Sequence, residues 1–337
     1  MSPHSYVIGI TGGSGFIGFS LAKHLVRFYN IKLLDIKAPE QGLNAGERFQ
    51  QCDVRNYEEV KEALEDVDLV IHAAIVQIPL INENKSLGYE VNFLGTQNIC
   101  RAVDESPRVK GLILPSSWHT IGERELKGSI DEAFGFRPDK VEERARLYTL
   151  AKIAQELIVR FYDEMSEKIF GIIRMGTVLG EGMPEKTAAN IFIENGLKGK
   201  PLTPFKHSMF RPMLYIDVED VCRAYESFAR KILNGEVHKE SNSLAHIFNV
   251  FYPEPVTILE LAEMVKEIII KCSNGKIEPK IEVVDTGQPS VFNSEDKKLI
   301  KVNISKAMNS LDLGKLKTPK ESIENIIRTR LIKSEGK

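Results

Sequence analysis

The chain has 337 residues, enough for one large domain with an appendage or for two domains, so a small fold is excluded. Its 45 basic and 47 acidic residues leave a formal charge of -2, which gives no general pull toward nucleic acid or an anionic membrane surface. Cys52, Cys100, Cys222 and Cys272 are scattered without a CxxC pair, so reduced thiols are expected rather than a disulfide framework or a metal site. No apolar run approaches the roughly 20 residues of a membrane span. Met1 to Ser5 show no basic leader, and a cytoplasmic protein without membrane or nucleic-acid partners is expected.

Apolar runs alternate with amphipathic segments in the order of a parallel sheet covered on both faces. Strands are predicted at Tyr6–Ile10, Ile31–Asp35, Arg48–Asp53, Asp68–Ala73, Gly111–Ser116, Ile169–Met175 and Ala245–Phe251. Helices are predicted at Phe16–Tyr29, Tyr57–Glu65, Leu87–Ser106, Val141–Ser166 and Val218–Leu233. Between Gly180 and Pro212 the strand rhythm is lost, and after Pro253 helical patterns dominate. The expected architecture is α/β: a doubly wound parallel (Rossmann) sheet over 1–179 and about 213–252, with a smaller, discontinuous substrate-binding domain from 180–212 and 253–332. The charged Lys333–Lys337 tail is expected to fray.

Between the first strand and the first helix, Gly12, Gly15 and Gly18 fall at three-residue spacing. Gly12 and Gly15 let the backbone approach a pyrophosphate, Gly18 permits close helix packing, and the helix N-terminus attracts the anion, so Phe16 and Ile17 belong to the same cofactor site. Asp35 closes the second strand, where a carboxylate accepts from ribose hydroxyls and repels a 2′-phosphate; this favours NAD over NADP, although Lys37 lies two residues on. Asp53 and Val54 end the third strand at a position suited to the adenine ring. His72-Ala73-Ala74 ends the fourth, where Ala73 and Ala74 leave room for the cofactor, and His72 is as well explained by a hydrogen bond at a strand end as by a functional role.

Tyr148 and Lys152 stand four residues apart on one helix face. A phenol is a poor base at neutral pH unless a cation stabilises its phenolate, and lowering its pKa by two to three units corresponds to about 3–4 kcal/mol. Ser117, at the end of the strand Gly111-Leu-Ile-Leu-Pro-Ser-Ser117, offers a hydroxyl to a substrate oxygen.

These residues resemble the extended short-chain dehydrogenase/reductases, specifically the NAD-dependent epimerase/dehydratase family acting on nucleotide sugars. The resemblance runs over nearly the whole chain through Thr11-Gly-Gly-Ser-Gly-Phe-Ile-Gly18, Asp53-Val54, His72-Ala73-Ala74, Val91-Asn92 with Gly95-Thr96-Gln97-Asn98, Ser116-Ser117, Tyr148 to Lys152, and Arg174. It extends to Gly199-Lys-Pro-Leu-Thr-Pro-Phe205 and to Arg211-Pro-Met-Leu-Tyr-Ile-Asp-Val-Glu-Asp220. The resemblance implies Ser117, Tyr148 and Lys152 as the catalytic set, Asn92 with Tyr148 and Lys152 in the NAD site, no metal, and a homodimer in which the helices bearing Asn92 and Tyr148 cross a two-fold axis.

Two departures bear on substrate and reaction. Family dehydratases carry an Asp-Glu pair directly after the catalytic serine or threonine; here Trp118-His119 follows, which disfavours dehydration. His119 is open to a proton-transfer role or to a simpler wall or hydrogen-bonding role. In the substrate loop the usual glycines give way to Lys206-His207-Ser208, and Lys206 and Arg211 are candidate clamps for a sugar-nucleotide diphosphate, against the alternative of a solvated basic loop. Trp118 is open to stacking on the nicotinamide, lining the sugar pocket or filling core. Asp131-Glu132 reads as a helix-flanking acidic turn. The leading expectation is an NAD-dependent epimerase acting at C4 of a UDP-hexose. The alternatives are an NAD(P)-dependent oxidoreductase on another sugar nucleotide or a non-nucleotide alcohol, and a non-catalytic NAD-sensing protein.

Overall fold

A computed structural model describes residues 5–335. Seven strands, β1 (Val7–Thr11), β2 (Asn30–Asp35), β3 (Glu47–Gln51), β4 (Leu69–His72), β5 (Gly111–Ser117), β6 (Ile169–Met175) and β7 (Ile247–Val250), form one sheet in the order β7-β6-β5-β4-β1-β2-β3. Every pairing in it is parallel. β4, β5, β6 and β7 are buried along their whole length, which is why they read as mostly apolar runs rather than as alternating ones, with their polar residues His72, Ser116, Ser117, Arg174 and Asn249 toward the carboxyl ends. Each fully buried Ile or Leu on them contributes roughly 1.5–3 kcal/mol.

Strand order reverses between β1 and β4, and in an open parallel sheet the crevice beyond the carboxyl ends of the strands at such a reversal is where a ligand binds. Thr11 pairs with His72 across that reversal. On the other side, β5 and β6 are in register so that Ser116 faces Arg174 and Ser117 faces Met175.

The helices follow the predicted order with shifted ends. Phe16–Leu25 stops four residues early, and the segment read as one helix over Leu87–Ser106 is Lys85–Tyr89, a π-helical turn Glu90–Gly95, and Thr96–Glu105. The π turn carries Asn92, whose side chain donates to Val76 O at 3.1 Å and accepts from Val76 N at 2.7 Å, fixing the loop after β4. The long helix begins at Arg146, preceded by a 3-10 turn at Glu143–Ala145, and runs to Met165.

Beyond the sheet, helices Ala188–Leu197, Ile258–Cys272 and Pro319–Glu335 pack against one another. Short pairings join distant segments: Tyr215–Asp217 with Thr177–Leu179, Pro212–Met213 with Val256–Thr257, and Gly128–Ile130 with Ile300–Val302. The last helix continues through Glu335, so the tail expected to fray is helical as far as it is described; Gly336 and Lys337, like Met1 to His4, lie outside the described residues. The four cysteines are free, three of them buried. Among the described residues no helix is long and apolar enough to cross a membrane.

The glycine turn is set by backbone contacts. Gly12 has φ +64°, and a Cβ there would lie 2.6 Å from Ala74 N; a Cβ on Gly18 would lie 2.3 Å from Gly12 O. Gly15, exposed, would meet only Gly12 O at 3.3 Å. Two substitutions therefore separate packing from ligand approach. Gly18→Ala is expected to lower unfolding stability by about 1–3 kcal/mol and to weaken NAD binding. Gly15→Ala is expected to cost under about 1 kcal/mol of stability while still weakening NAD binding. Urea unfolding and calorimetric titration with NAD check both.

Candidate active site

The cofactor half is assembled at the reversal between β1 and β4. The helix Phe16–Leu25 starts on Gly15 without a side-chain cap and without an acidic residue in its first turn, so its free N–H groups and positive dipole end remain available to an anion. Asp35, at the end of β2, accepts from Ser14 N at 3.1 Å, which brings its carboxylate onto the glycine turn. The backbone of Ala73 and Ala74 closes on Gly12 from the other side. Asp53, just past β3, is bound by the Arg55 side chain at 3.0 Å, a hydrogen bond that together with the Arg55 charge holds its carboxyl below the usual range. Val54 is buried, its side chain filling the space over Gly95. A cradle that only glycine fits, an uncapped helix N-terminus and a strand-end carboxylate fit a dinucleotide: Gly12, Gly15, Phe16, Ile17 and Gly18 would hold the pyrophosphate and Asp35 the ribose.

His72 is fully buried and belongs to the framework. Thr96 Oγ1 donates its one proton to Asn92 O at 2.8 Å, so it accepts from His72 Nε2 at 3.0 Å and from Gln155 Nε2 at 2.9 Å. His72 Nδ1 then accepts from Thr11 Oγ1 at 2.7 Å, and Thr11 Oγ1 accepts from Ala74 N at 3.3 Å. Burial, aided by the Lys152 charge, pushes the imidazole down to about 3 and keeps it neutral.

At the end of β5 the chemistry-bearing groups converge. The His119 ring touches both Ser117 and Tyr148, and Lys152 Nζ, one turn along the helix from Tyr148, donates to Pro115 O at 2.7 Å. Burial lowers Lys152 to about 7, opposed by the Glu156 carboxylate. Burial also raises the Tyr148 phenol, with the Ser117 hydroxyl pulling the other way. The phenol therefore sits above its ordinary value rather than below it as the Tyr-Lys spacing suggested: the lysine is turned to a strand carbonyl.

Behind these groups lies a polar layer that the sequence did not reveal. Glu156, fully buried one turn beyond Lys152, accepts from Ser116 Oγ and pairs with Arg174 at 2.9 Å. Arg174 donates on to Glu132 O at 3.0 Å, and Glu132 Oε1 accepts from Asn249 N at 2.8 Å. Glu132 is thus an interior anchor and not the surface turn its neighbours suggested. The signal for Glu156 was its spacing: Tyr148, Lys152 and Glu156 recur every four residues on one helix face.

His119 points at the same place. Its Nδ1 lies 3.0 Å from Ser117 Oγ, its Nε2 3.3 Å from Glu123 Oε1, and its ring meets Tyr148 edge-on at 5.9 Å and 87°. Trp118 is fully buried and donates to Thr177 Oγ1 at 3.1 Å, which answers its role: it fills core. Arg211 is buried beneath Glu123, at 3.6 Å, and is also ion-paired with Glu142; its Nε has no hydrogen-bond partner among the described residues. Lys206 is on the surface, paired with Asp285 at 2.9 Å. The two candidate phosphate clamps are therefore apart in character, one interior and neutralised, the other solvated. Among the described residues no group of three or more His, Cys, Asp or Glu is placed to hold a metal ion.

Residues 8–250 match the model of the NAD dependent epimerase/dehydratase family. Among curated proteins, the chain is 35% identical over 132 residues to short-chain dehydrogenase/reductase family 42E member 1 of Danio rerio, covering 38% of this chain and 34% of that one. It is 32% identical over 196 residues to the decarboxylating sterol-4-alpha-carboxylate 3-dehydrogenase of Bos taurus, covering 57% and 51%. The aligned stretch thus spans about a third to a half of the length of these relatives. In structure the chain is similar to the NAD complex of a Thermus thermophilus UDP-glucose 4-epimerase, with a TM-score of 0.75 at 23% identity over 96% of this chain and 99% of that one, a likeness of fold.

The buried Glu123 carboxylate gives the site a measurable acid limb. Burial pushes it up, but the His119 hydrogen bond and the Arg211 charge prevail and hold it at about 2, against an ordinary 4.5. A carboxyl depressed on folding contributes stability that is complete above about pH 4.5 and is lost as pH falls toward 2. The gap corresponds to on the order of 3 kcal/mol. Glu123→Gln is expected to be less stable than the parent at pH 7 by an amount of this order, with the difference shrinking steadily below pH 4.5. Urea unfolding midpoints across that range check it.

Proposed function

Because the chain belongs to the NAD-dependent epimerase/dehydratase family, we propose that it is a nucleotide-sugar epimerase that transiently oxidises C4 of a UDP-hexose. The observation that carries this reading is the meeting of Ser117, Tyr148 and Lys152 at the end of β5, beside a glycine turn fitted to NAD. Bound NAD supplies the hydride acceptor and, once reduced, the donor for the return. Tyr148 takes the proton of the sugar hydroxyl, Ser117 hydrogen-bonds the same oxygen, and Lys152 turns from Pro115 O toward the phenolate to steady it as charge develops. The keto sugar then turns its other face to the same residues. Trp118 in the core leaves no acid/base pair after Ser117, which supports epimerisation over dehydration.

The substrate side is read as the unit formed by 180–212 and 253–332, with the protein working in the cytoplasm. One observation favours a second reading, an oxidoreductase acting on a non-nucleotide alcohol: Arg211 is held by Glu123 and Glu142, so its charge is already balanced before any diphosphate arrives. Net NADH formation from a simple alcohol would select it. The non-catalytic NAD-sensing alternative has no use for a serine and a tyrosine gathered about one histidine beside a buried lysine.

An NMR time course of UDP-galactose with NAD tests the leading reading. The parent is expected to form UDP-glucose, and Tyr148→Phe to lose at least about 100-fold in rate while still binding NAD. No conversion by a parent that binds NAD would overturn the C4 UDP-hexose assignment.

The helices Lys85–Tyr89 and Arg146–Met165 expose Tyr89, Leu150, Leu157, Phe161 and Met165, the last four recurring along one helix face. We assign this face to a homodimer in which it packs on its own copy across a two-fold axis. Light scattering is expected to give the mass of two chains for the parent and of one for the Leu157→Glu/Phe161→Glu protein; a monomeric parent would refute the assignment.

A further inference from the structure

We propose that His119, held by Glu123, is a positioning residue that sets the direction of the Ser117 hydrogen bond and so opens a proton route from His119 through Ser117 and Tyr148 to the substrate oxygen. The proposal rests on the reading that Ser117 faces that oxygen.

Ser117 has a single hydroxyl proton, and the protonation of His119 Nδ1 decides where it points. Its Oγ accepts from His119 N at 3.3 Å, and His119 Nδ1 stands 3.0 Å away. When Nδ1 is unprotonated it takes the Ser117 proton, leaving the serine oxygen to accept from an alcohol. When Nδ1 is protonated it donates to Ser117 Oγ, and the serine proton is free to point at a carbonyl oxygen. Protonation of one ring nitrogen thus reverses the polarity of Ser117 toward the substrate.

Glu123 makes this more than a chance contact. Its carboxylate is 2% exposed and reaches Nε2 at 3.3 Å, so it accepts the Nε2 proton in the neutral ring and offsets the charge of the doubly protonated one. A wall residue has no need of a buried carboxylate behind it, and burying one costs several kcal/mol unless it is paired. Arg211 faces the other side of Glu123, Glu142 backs Arg211 and donates its N–H to Glu123 Oε2 at 3.0 Å, and the Trp118 ring covers the imidazole at 4.7 Å. From the long helix, the Tyr148 ring stands edge-on, while Lys152 is turned away to Pro115 O.

In the alcohol-forming direction the balance is closed. As hydride reaches the carbonyl carbon, the oxygen takes the Tyr148 proton, the phenolate takes the Ser117 proton, Ser117 takes the Nδ1 proton, and His119 is left neutral against the Glu123 carboxylate. The opposite direction runs the same transfers in reverse.

His119→Asn tests this, because its side-chain oxygen can still accept from Ser117 yet cannot carry a proton. With UDP-galactose and NAD as probe, H119N is expected to lose roughly 100-fold in rate and one ionisation of the parent pH–rate profile, with NAD binding unchanged. A parent-like rate and profile in H119N would overturn the proposal. Long-range 1H–15N NMR of the protein without sugar decides it independently of substrate. The His119 ring, identified by its absence in H119N, is expected to be the Nε2–H tautomer when neutral, with an Nδ1 shift that moves in Ser117→Ala. An Nδ1–H tautomer, or an Nδ1 shift indifferent to Ser117→Ala, would overturn it. If the parent does not turn over UDP-galactose, the substrate reading fails and the NMR result alone judges the relay.

Discussion

The buried pair of Glu156 and Arg174 is the constraint on which the site depends. Both side chains are almost wholly removed from water, and the carboxylate is shared between Arg174 on β6 and Ser116 on β5. Such a pair adds little net stability, because desolvation consumes most of the attraction, but separating it leaves a buried charge and costs roughly 3–5 kcal/mol. Its effect is on position. The helix Arg146–Met165 cannot slide or rotate against β5 and β6 without breaking it, and Lys152 and Tyr148 lie one and two turns toward the N-terminus on the same face. Fixing Glu156 therefore fixes where the ammonium and the phenol meet the end of β5.

The cofactor side is tied to that helix by neutral hydrogen bonds. Thr11 on β1, His72 on β4, Thr96 in the helix after the π turn, and Gln155 beside Glu156 form one chain. Each proton in it has a single consistent direction, set by Thr96 having only one to give. The low pKa of His72 follows from the same burial, and the chain binds the glycine turn to the catalytic helix without adding a charge between them. His72 thus has a role of position, transmitted through backbone and hydroxyl groups.

The hydride core was largely legible in the sequence because its signals are local. Three glycines at fixed spacing, an acid closing the next strand, a serine ending a buried strand and a Tyr-Lys pair one turn apart each report on a few consecutive residues. The seven strands were found to within a few residues, β4 to β7 because runs buried on both faces are mostly apolar, although the polar β3 has no buried residue. What was not legible depends on residues far apart in the chain. Glu123 and Arg211 are 88 positions apart and Arg174 and Asn249 each reach Glu132 across the fold, so neither pairing has a sequence period. The π turn at Glu90–Gly95 keeps helical hydrophobicity and so reads as uninterrupted helix. Trp118 gave no sign of its direction, since a residue after a catalytic serine can turn to the pocket or to the core.

The two ends of the site also differ in how tightly their sequence is bound by physics. On the hydride side nearly every polar group is buried, and a buried donor or acceptor that loses its partner costs about 1–3 kcal/mol, so substitutions there are penalised by folding as well as by chemistry. On the substrate side the chain at Leu202 and Phe205 meets Ile281 and Val284 only through isolated bridges, and Lys206 and Asp285 pair in solvent, where an ion pair is worth at most about 1 kcal/mol. Replacing Lys206 or Asp285 therefore costs little stability, whereas Leu202 is fully buried in the core. Arg211, Glu123 and His119 stand at the junction: Arg211 pairs with Glu123, Glu123 reaches His119, and His119 touches Ser117 at the end of β5. A change in any one of the three therefore disturbs the buried charge balance and the surroundings of Ser117 together.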